Sequence, residues 1–264
     1  MSVAAQVIRL THFDPHLNVN SNTRSKYGLS GSNFDPFRHV HDESRTVNLS
    51  DGEELFEQES PIHHYYRIDT GCIRTVRLME DGRRMVERFL FPGDLLAFGS
   101  GTHYSVSAQA VLPAVARSYP CRAIHSLAEE NAEFACFLWR AIGAEQLAAR
   151  EHGLSLGRMT AIERVAGFLH EMARRMVWDA RQGLKLPMGR TDIADHLCLA
   201  VETISRALTQ LRRDGAITIM TGGYETDIRS GGKGPADFSP DNMDATEQIS
   251  NIFWDSSHDR YAGA

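Results

Sequence analysis

Three polar side chains, Glu202, Ser205 and Arg206, have the chemical types and the spacing needed to contact the edges of DNA base pairs. Positions three and four residues apart lie on one face of a helix, so all three side chains would project from the same side of a helical segment. A carboxylate accepts a hydrogen bond from cytosine N4, and a guanidinium donates two hydrogen bonds to O6 and N7 of guanine. The trio therefore predicts a helix that lies in a major groove.

Apolar residues around these side chains predict the helix-turn-helix that would position them. One short apolar stripe spans residues 193–197, residues 198–200 form a tight turn, and a second stripe at helical spacing spans residues 204–211. The alternative is an ordinary helical hairpin with solvated charges. The turn spacing and the polar trio occur together, which favours the DNA-binding interpretation.

Charge is distributed unevenly along the chain, which has 264 residues and a formal net charge of -6. An acidic chain is by itself weak evidence against nucleic-acid binding. Basic residues nevertheless outnumber acidic ones between residues 158 and 215, and acidic residues dominate after residue 220. Neutralising phosphate requires local basic groups rather than a basic chain. The side chains predicted to contact the DNA backbone are Arg190, Thr191, Thr203 and Arg212.

The first half of the chain predicts an antiparallel β-barrel of the jelly-roll type over residues 45–130. Short strands alternate with turn sequences, among which Glu80–Arg83 is a strong hairpin signal and Pro92–Asp94 marks a second turn. Residues 1–44 are polar and lack periodicity, so they predict a flexible N-terminal extension. With the helices that follow, the chain is expected to have an α+β fold.

A long helix is predicted over residues 131–156. Apolar residues recur there at near-heptad spacing, at Phe134, Phe137, Leu138, Ala141, Ala144 and Ala148. A stripe of this length must be buried, either against the barrel of the same chain or against the same helix of a second chain. We favour the second option, in which this helix forms a homodimer.

The C-terminal DNA-binding domain is predicted over residues 157–221. Thr160 and Glu163 have the spacing of a capping box at the start of its first helix, and Asp214–Gly215 ends the second helix of the helix-turn-helix. Ile217–Ile219 begins a wing, but the segment 224–228 is poorly patterned as its second strand. Residues 222–264 are glycine-rich and acidic, so they predict a disordered tail.

The order of barrel, long helix and winged helix-turn-helix resembles the Crp/Fnr family of bacterial transcription regulators between Asn48 and Ile219. Three stretches carry the resemblance, namely Phe91–His103, Thr160–Leu169 and Leu186–Arg206. The E-x-x-S-R motif in the last stretch is most similar to the Fnr and FixK branch. Val201 matches that branch as well, because a cAMP-dependent relative would have arginine there.

The resemblance implies both the base contacts and the partners of the chain. In the Fnr and FixK branch, the glutamate, serine and arginine of the motif contact a TTGAT-type half-site, a role that falls here on Glu202, Ser205 and Arg206 beside Val201. It further implies a homodimer that binds double-stranded DNA at a TTGAT-N4-ATCAA-like palindrome. Activation of transcription together with RNA polymerase, in the cytoplasm, is the corresponding expectation.

Two cofactors of this family are not expected in this chain. Where relatives bind a cyclic nucleotide through a glutamate and an arginine, this chain has Phe98 and Val106, which removes the charged group that holds the phosphate. Relatives with an iron–sulfur cluster have three N-terminal cysteines and one in the barrel. This chain has no cysteine before Cys72 and has Arg117 at the fourth position, so we expect no cluster and no cofactor or metal.

Two alternatives concern the signal that the chain senses. His63, His64 and His103 lie in the barrel region, so a haem-sensing or small-molecule-sensing regulator with a different target remains an alternative. Cys198 lies in the turn before the second helix, where a thiol near a helix N-terminus and basic groups can become oxidisable. The other interpretation of Cys198 is a small apolar residue packed between the two helices.

Other classes of protein find little support in the sequence. The nucleophile, zinc and phosphate-loop motifs of common enzymes are absent, which argues against an enzyme. We find neither a signal peptide nor a run of eighteen apolar residues, so we expect no membrane association. A barrel whose helix-turn-helix mediates only protein contacts is a third possibility, and a mobility shift on the palindrome distinguishes it from a DNA-binding regulator.

Overall fold

A computed structural model describes residues 35–96, 101–176, 184–222 and 225–230 of the protein. The N-terminal part is an antiparallel sheet of six strands: β1 (Arg45–Leu49), β2 (Glu54–Phe56), β3 (His64–Leu78), β4 (Arg84–Leu90), β5 (Leu95–Leu96) and β6 (Ser107–Pro120). Two helices follow, α1 (Cys121–Glu130) and α2 (Ala132–Arg158). The C-terminal part contains α3 (Ala161–Arg175), β7 (Leu184–Lys185), α4 (Arg190–Leu197), α5 (Val201–Arg213), β8 (Ile217–Gly222) and β9 (Glu225–Ser230).

The long strands β3 and β6 organise the sheet. Its order is β1-β6-β3-β4, with β2 paired to β6 and β5 paired to β3. Strand β3 changes register near Gly71, which has a φ of +84° and lies so close to Ala114 that an added Cβ would be 2.6 Å from the Ala114 Cα. The predicted α+β, jelly-roll-like fold is confirmed, although the pairing path among the described strands is open rather than closed into a barrel.

The predicted flexible extension, residues 1–44, includes residues that belong to the folded domain. Residues 1–34 lie outside the described part, but Phe37 and Val40 are buried against the sheet and the helices. The Phe37 ring stacks on Tyr119 with the ring centroids 4.7 Å apart. A short 3-10 turn at Arg38–Val40 therefore belongs to the folded N-terminal domain, because an aromatic anchor outweighs the polarity of its neighbours.

The apolar stripe on α2 packs against the sheet domain of its own chain, which corrects the prediction that this stripe forms the dimer interface. Phe134, Phe137 and Ala141 are buried in a cluster with Phe37 and Tyr119, and Leu138 and Ala144 pack against the same cluster. Helix α1 lies within residues 45–130, for which only a barrel was predicted. It contributes Ala123, Ile124 and Leu127 to that cluster. The first of the two options is therefore observed for these five residues, whereas Ala148, the last residue of the predicted stripe, is exposed.

A second hydrophobic cluster joins the sheet to the DNA-binding part of the chain. Sheet residues Val86, Phe89 and Phe91 lie in one cluster with residues of α3, α4 and α5. The predicted capping box of α3 is confirmed, since Thr160 accepts from the Glu163 backbone N–H and Glu163 accepts from the Thr160 backbone N–H. The start of the DNA-binding part is thus fixed by local hydrogen bonds, and its position is fixed by packing on the sheet.

The wing extends beyond its predicted end at residue 221. Strand β9 (Glu225–Ser230) pairs with β8 from Ile217↔Ser230 to Gly222↔Glu225 and also with β7. The poorly patterned segment therefore forms a strand, and the predicted tail at 222–264 begins within the wing. Residues 231–264 lie outside the described residues. None of the helices in the described ranges combines the length and the apolar content that crossing a bilayer requires.

Candidate nucleic-acid interface

Helix α5 carries the predicted base-contacting residues on the face opposite its buried side. Ile204, Leu208 and Leu211 are buried and anchor the helix in the cluster shared with the sheet. Glu202 and Arg206 are exposed, and Ser205 is partly buried between them. The buried apolar face fixes the rotation of α5, so the polar trio projects from the outer face as the spacing predicts.

The turn before α5 depends on an unusual backbone at Cys198. Its φ of 52° is in the left-handed region, and the residue ends α4 as its C-cap, with its backbone N–H donating to the Ala194 carbonyl. Leu199 also donates to the Ala194 carbonyl, over 3.0 Å. This is the tight reversal predicted at residues 198–200. The Cys198 residue is exposed, so the interpretation of a side chain packed between the helices is wrong.

The packing of α4 on α5 brings Arg190 next to the predicted base-contacting face. It is the first residue of α4, and its Nη1 donates to the Ser205 hydroxyl over 3.4 Å. The Ser205 hydroxyl in turn donates to the Val201 carbonyl over 3.1 Å. Because the Ser205 hydroxyl hydrogen is engaged by Val201 and one lone pair accepts from Arg190, Ser205 retains one acceptor lone pair for a further donor.

The other predicted phosphate contacts lie at different distances from that face. Thr191 is exposed in the first turn of α4, and Thr203 is partly buried in the first turn of α5. Both are placed near helix N-termini, where backbone N–H groups favour an anion. Arg212 is exposed in the last turn of α5, about 15 Å along the helix from Glu202 at 1.5 Å per residue. The structure therefore brings Arg190 into contact with Ser205 of α5, and it places Thr203 in the first turn of α5 and Arg212 in its last turn.

A buried carboxylate that the sequence analysis missed holds α4 against the sheet. Asp192 accepts from Arg74 Nη1 over 2.7 Å and also pairs with Arg84. Its side chain is 9% exposed, so the two guanidinium groups supply the charge compensation that burial demands. No local signal identifies this contact, because Arg74 and Asp192 are 118 positions apart in the sequence.

His196 forms a second missed contact between α4 and the sheet. Its Nδ1 lies 3.0 Å from the Val86 carbonyl oxygen, to which it donates as the neutral ring. The ring also stacks on His152 of α2, with centroids 4.3 Å apart. Desolvation by burial, with the neighbouring His152, lowers the pKa of His196 to about 4. The imidazole is therefore neutral at pH 7 and links α2, α4 and β4.

The sheet shows what occupies the positions at which relatives bind cofactors. Val106 is uncharged and packs against an apolar cluster that includes Tyr66 and Tyr104, and Phe98 lies outside the described residues. Arg117 pairs with Asp69 through Nε and Nη2 at 3.1 and 3.0 Å. Burial raises the pKa of the Cys72 thiol to about 12. The uncharged Val106 does not fit a cyclic phosphate. A buried, protonated Cys72 thiol does not fit an iron–sulfur cluster, which is held by several thiolates.

The three histidines considered for haem are on or near the surface of the sheet. His63 and His103 are exposed, and His64 is partly buried. Within the described residues, no group of three or more histidine, cysteine, aspartate or glutamate side chains is arranged to hold a metal ion.

Two family models match the chain in the regions just described. A Crp-like helix-turn-helix domain matches residues 163–229, and a cyclic nucleotide-binding domain matches residues 46–131. The first match spans α3 through most of β9, and the second spans the sheet and α1. Both halves of the predicted organisation are thus present in the order that the sequence indicates.

Similar proteins are transcription regulators. The chain is 40% identical to the nitrogen fixation regulation protein FixK of Azorhizobium caulinodans, over 63% of this chain and 68% of that protein. It is 34% identical to the FixK of Bradyrhizobium diazoefficiens, over 74% of this chain and 82% of that protein. The solved structure of FixK2 from Bradyrhizobium japonicum matches with a TM-score of 0.65 and 31% identity, over 79% of this chain and 96% of that chain. The chain therefore belongs to the Crp/Fnr family as a FixK-like, DNA-binding transcription regulator, and its relatives are not enzymes.

Proposed function

We propose that this chain is a homodimeric transcription activator that binds a TTGAT-N4-ATCAA-like palindrome without cAMP and without an iron–sulfur cluster. The observation that carries the proposal is the outer face of α5, where Glu202, Ser205 and Arg206 project from a helix whose other face is buried. Relatives that are named as transcriptional activators support the activating role, which we propose is exerted together with RNA polymerase in the cytoplasm. The phosphate contacts are assigned to Arg190, Thr191 and Thr203, with Arg212 as a more distant contact.

The dimer is proposed to form through the exposed face of α2. Four large apolar side chains of that helix are solvent-exposed: Trp139 (80%), Ile142 (44%), Leu147 (57%) and Leu154 (66%). Their spacing places them on the side opposite Phe134, Phe137 and Ala141. A second copy of α2 is the partner that a two-fold symmetric regulator requires. The two α5 helices of this dimer, its recognition helices, would then enter major grooves about 34 Å apart.

We expect a glutamate at Trp139 or Leu147 to dissociate the dimer while each protomer stays folded. The introduced carboxylate would be desolvated in the apolar seam, which costs at least about 2 kcal/mol and weakens association about thirtyfold or more. Sedimentation equilibrium measures the association constant, and thermal unfolding measures the protomer.

Ala141→Glu provides the matched control for this experiment. Ala141 is 2% exposed and packs against the barrel of its own chain, so its replacement is expected to lower the unfolding temperature directly. A dimer that survives both Trp139→Glu and Leu147→Glu unchanged would refute the proposed seam.

The DNA target is tested by fluorescence anisotropy with labelled duplexes at one fixed salt concentration. The protein is expected to bind the TTGAT-N4-ATCAA duplex at least about a thousandfold more tightly than a scrambled duplex of equal length, the usual margin of specific over non-specific binding. The margin should be the same with and without added cAMP. Equal affinity for both duplexes would contradict the proposed target, and micromolar cAMP binding by calorimetry would contradict the absence of a nucleotide switch.

A thiol switch at Cys198 is the second candidate function, favoured by one observation. The residue is exposed immediately before the base-contacting helix, where an added oxygen or adduct would face the DNA. Treatment with peroxide is then expected to weaken DNA binding reversibly in the wild type and to leave Cys198→Ser unaffected. The same loss of binding in both proteins would exclude Cys198 as the sensor.

A further inference from the structure

Arg164 of α3 connects three segments that belong to different parts of the molecule. Its Nη2 donates to the Leu156 carbonyl over 2.6 Å, its Nε to the Met159 carbonyl over 3.1 Å and its Nη1 to the Leu197 carbonyl over 3.2 Å. Leu156 lies in the last turn of α2, Met159 is the C-cap of that helix, and Leu197 is the last residue of α4. One side chain thus joins the end of the proposed dimerisation helix to the turn that leads into α5.

The chemistry of these acceptors explains why arginine suits the position. The last carbonyl groups of a helix have no partner within the helix and carry partial negative charge. A guanidinium presents several donors in a rigid plane, so it can satisfy carbonyls in separate directions at once and fix their relative positions. A lysine ammonium has the same charge but concentrates its donors at one nitrogen. The three hydrogen bonds therefore constrain geometry as well as contribute energy.

We propose that Arg164 is a positioning residue for DNA recognition. It fixes the direction in which the helix-turn-helix leaves the end of α2, and thereby the separation of the two α5 helices in the dimer. Arg164 contacts no base in this arrangement, because its guanidinium is engaged by backbone carbonyls behind the turn. The inference rests on the proposed function, since the separation of two recognition helices matters only for a dimer on two half-sites.

The spacing between the half-sites is the readout that this role should change. Adding two base pairs to the four-base-pair spacer moves the half-sites apart by about 7 Å and rotates one around the duplex. Wild-type protein is expected to bind the N4 palindrome about tenfold or more tightly than the N6 palindrome. In Arg164→Gln the ratio should fall to about threefold or less, because a flexible link lets each recognition helix adjust to its half-site.

Affinity for a duplex with a single half-site separates positioning from base contact. It should change by no more than about twofold in Arg164→Gln, because the side chains on the outer face of α5 are untouched. Arg174→Gln is the matched control, since Arg174 is an exposed arginine on the same helix and its loss should leave the N4-to-N6 ratio at the wild-type value. Circular dichroism confirms that each variant is folded.

Arg164→Lys keeps the charge and removes the planar group. Its N4-to-N6 ratio is expected to fall as in Arg164→Gln, and this variant carries the test if the glutamine protein does not fold. A wild-type ratio in either folded variant would overturn the proposal. A ratio that falls only because single half-site affinity is lost would overturn it as well.

A distance measurement keeps the inference testable if the DNA target proves to be different. Spin labels on Gln210→Cys of α5, in a background of Cys136→Ser and Cys198→Ser, report the separation of the two recognition helices in the dimer. Gln210 is exposed and lies on the helix in question. A narrow distance distribution in wild type and a broad one in Arg164→Gln support the positioning role. Equal widths overturn it, whereas failure of wild type to prefer the palindrome refutes only the proposed target.

Discussion

Arg206→Ala is expected to weaken binding to the intact palindrome about tenfold or more per half-site. A bidentate arginine–guanine contact contributes about 1–3 kcal/mol of discrimination, and each 1.4 kcal/mol corresponds to a factor of about ten in affinity. Arg206 is exposed one helical turn after Glu202, on the outer face of a helix held by buried Ile204 and Leu208. Because its neighbours are anchored, truncation removes the contact without moving the helix.

The decisive comparison uses a second duplex in which the G·C pair of each TTGAT half-site is replaced. Arg206→Ala should bind this duplex with nearly the wild-type affinity, since the wild-type arginine has no guanine to contact there. Anisotropy titrations of both proteins on both duplexes, at one salt concentration, give the four affinities. An equal loss on both duplexes would mean that Arg206 contacts the DNA backbone, and the proposed orientation of α5 would be wrong.

Arg190→Ala is the matched arginine variant for the same titrations. A phosphate contact contributes equally whatever the base pair, so its loss should weaken both duplexes alike and make binding less sensitive to salt. The structure places Arg190 Nη1 3.4 Å from the Ser205 hydroxyl, beside the proposed base-contacting face. A loss confined to the intact palindrome would therefore reassign Arg190 from phosphate to base contact.

Local signals account for the parts of the fold that the sequence predicted. The capping box at Thr160 and Glu163 and the turn at 198–200 involve residues within a few positions of one another, so the sequence contains both partners of each contact. The outer face of α5 was predicted for the same reason, because helical periodicity alone separates Ile204 and Leu208 from Arg206.

Long-range partners explain what the sequence could not predict. The stripe on α2 was recognisable, but both a barrel and a second helix offer an apolar surface, and only the packed structure shows Phe134 buried against Phe37. The contact of Asp192 with Arg74 joins two domains across 118 positions, and the second strand of the wing forms despite weak alternation because β8 and β7 provide pairing on both sides. The partner of an apolar stripe, of a buried charge or of a weakly patterned strand depends on the tertiary structure and not on residue spacing.

Lowering the pH from 7 to 4 is expected to destabilise the protein by about 3 kcal/mol through His196 alone. Burial lowers the pKa of this imidazole from 6.5 to about 4, and each unit corresponds to about 1.4 kcal/mol. Well above pH 6.5 the ring is neutral in both the folded and the unfolded state, so its titration costs the folded state nothing. As the pH falls from about 6.5 to about 4, the unfolded chain binds the proton first, so the free energy of unfolding decreases through that window.

Replacing His196 with glutamine should flatten this part of the pH profile. Glutamine keeps a donor for the Val86 carbonyl, whose partner in the wild type is His196 Nδ1 at 3.0 Å, and it removes the titrating ring. A residual slope is expected because burial also lowers the pKa values of His152 and His170. Urea unfolding followed by circular dichroism between pH 7 and 4 measures the profile, with His63→Gln as a control on an exposed histidine. If His196→Gln and wild type lost stability in parallel over this range, the neutral His196 contact between α4 and β4 would not be the source of the acid sensitivity, because removing its proton-binding site would have changed nothing.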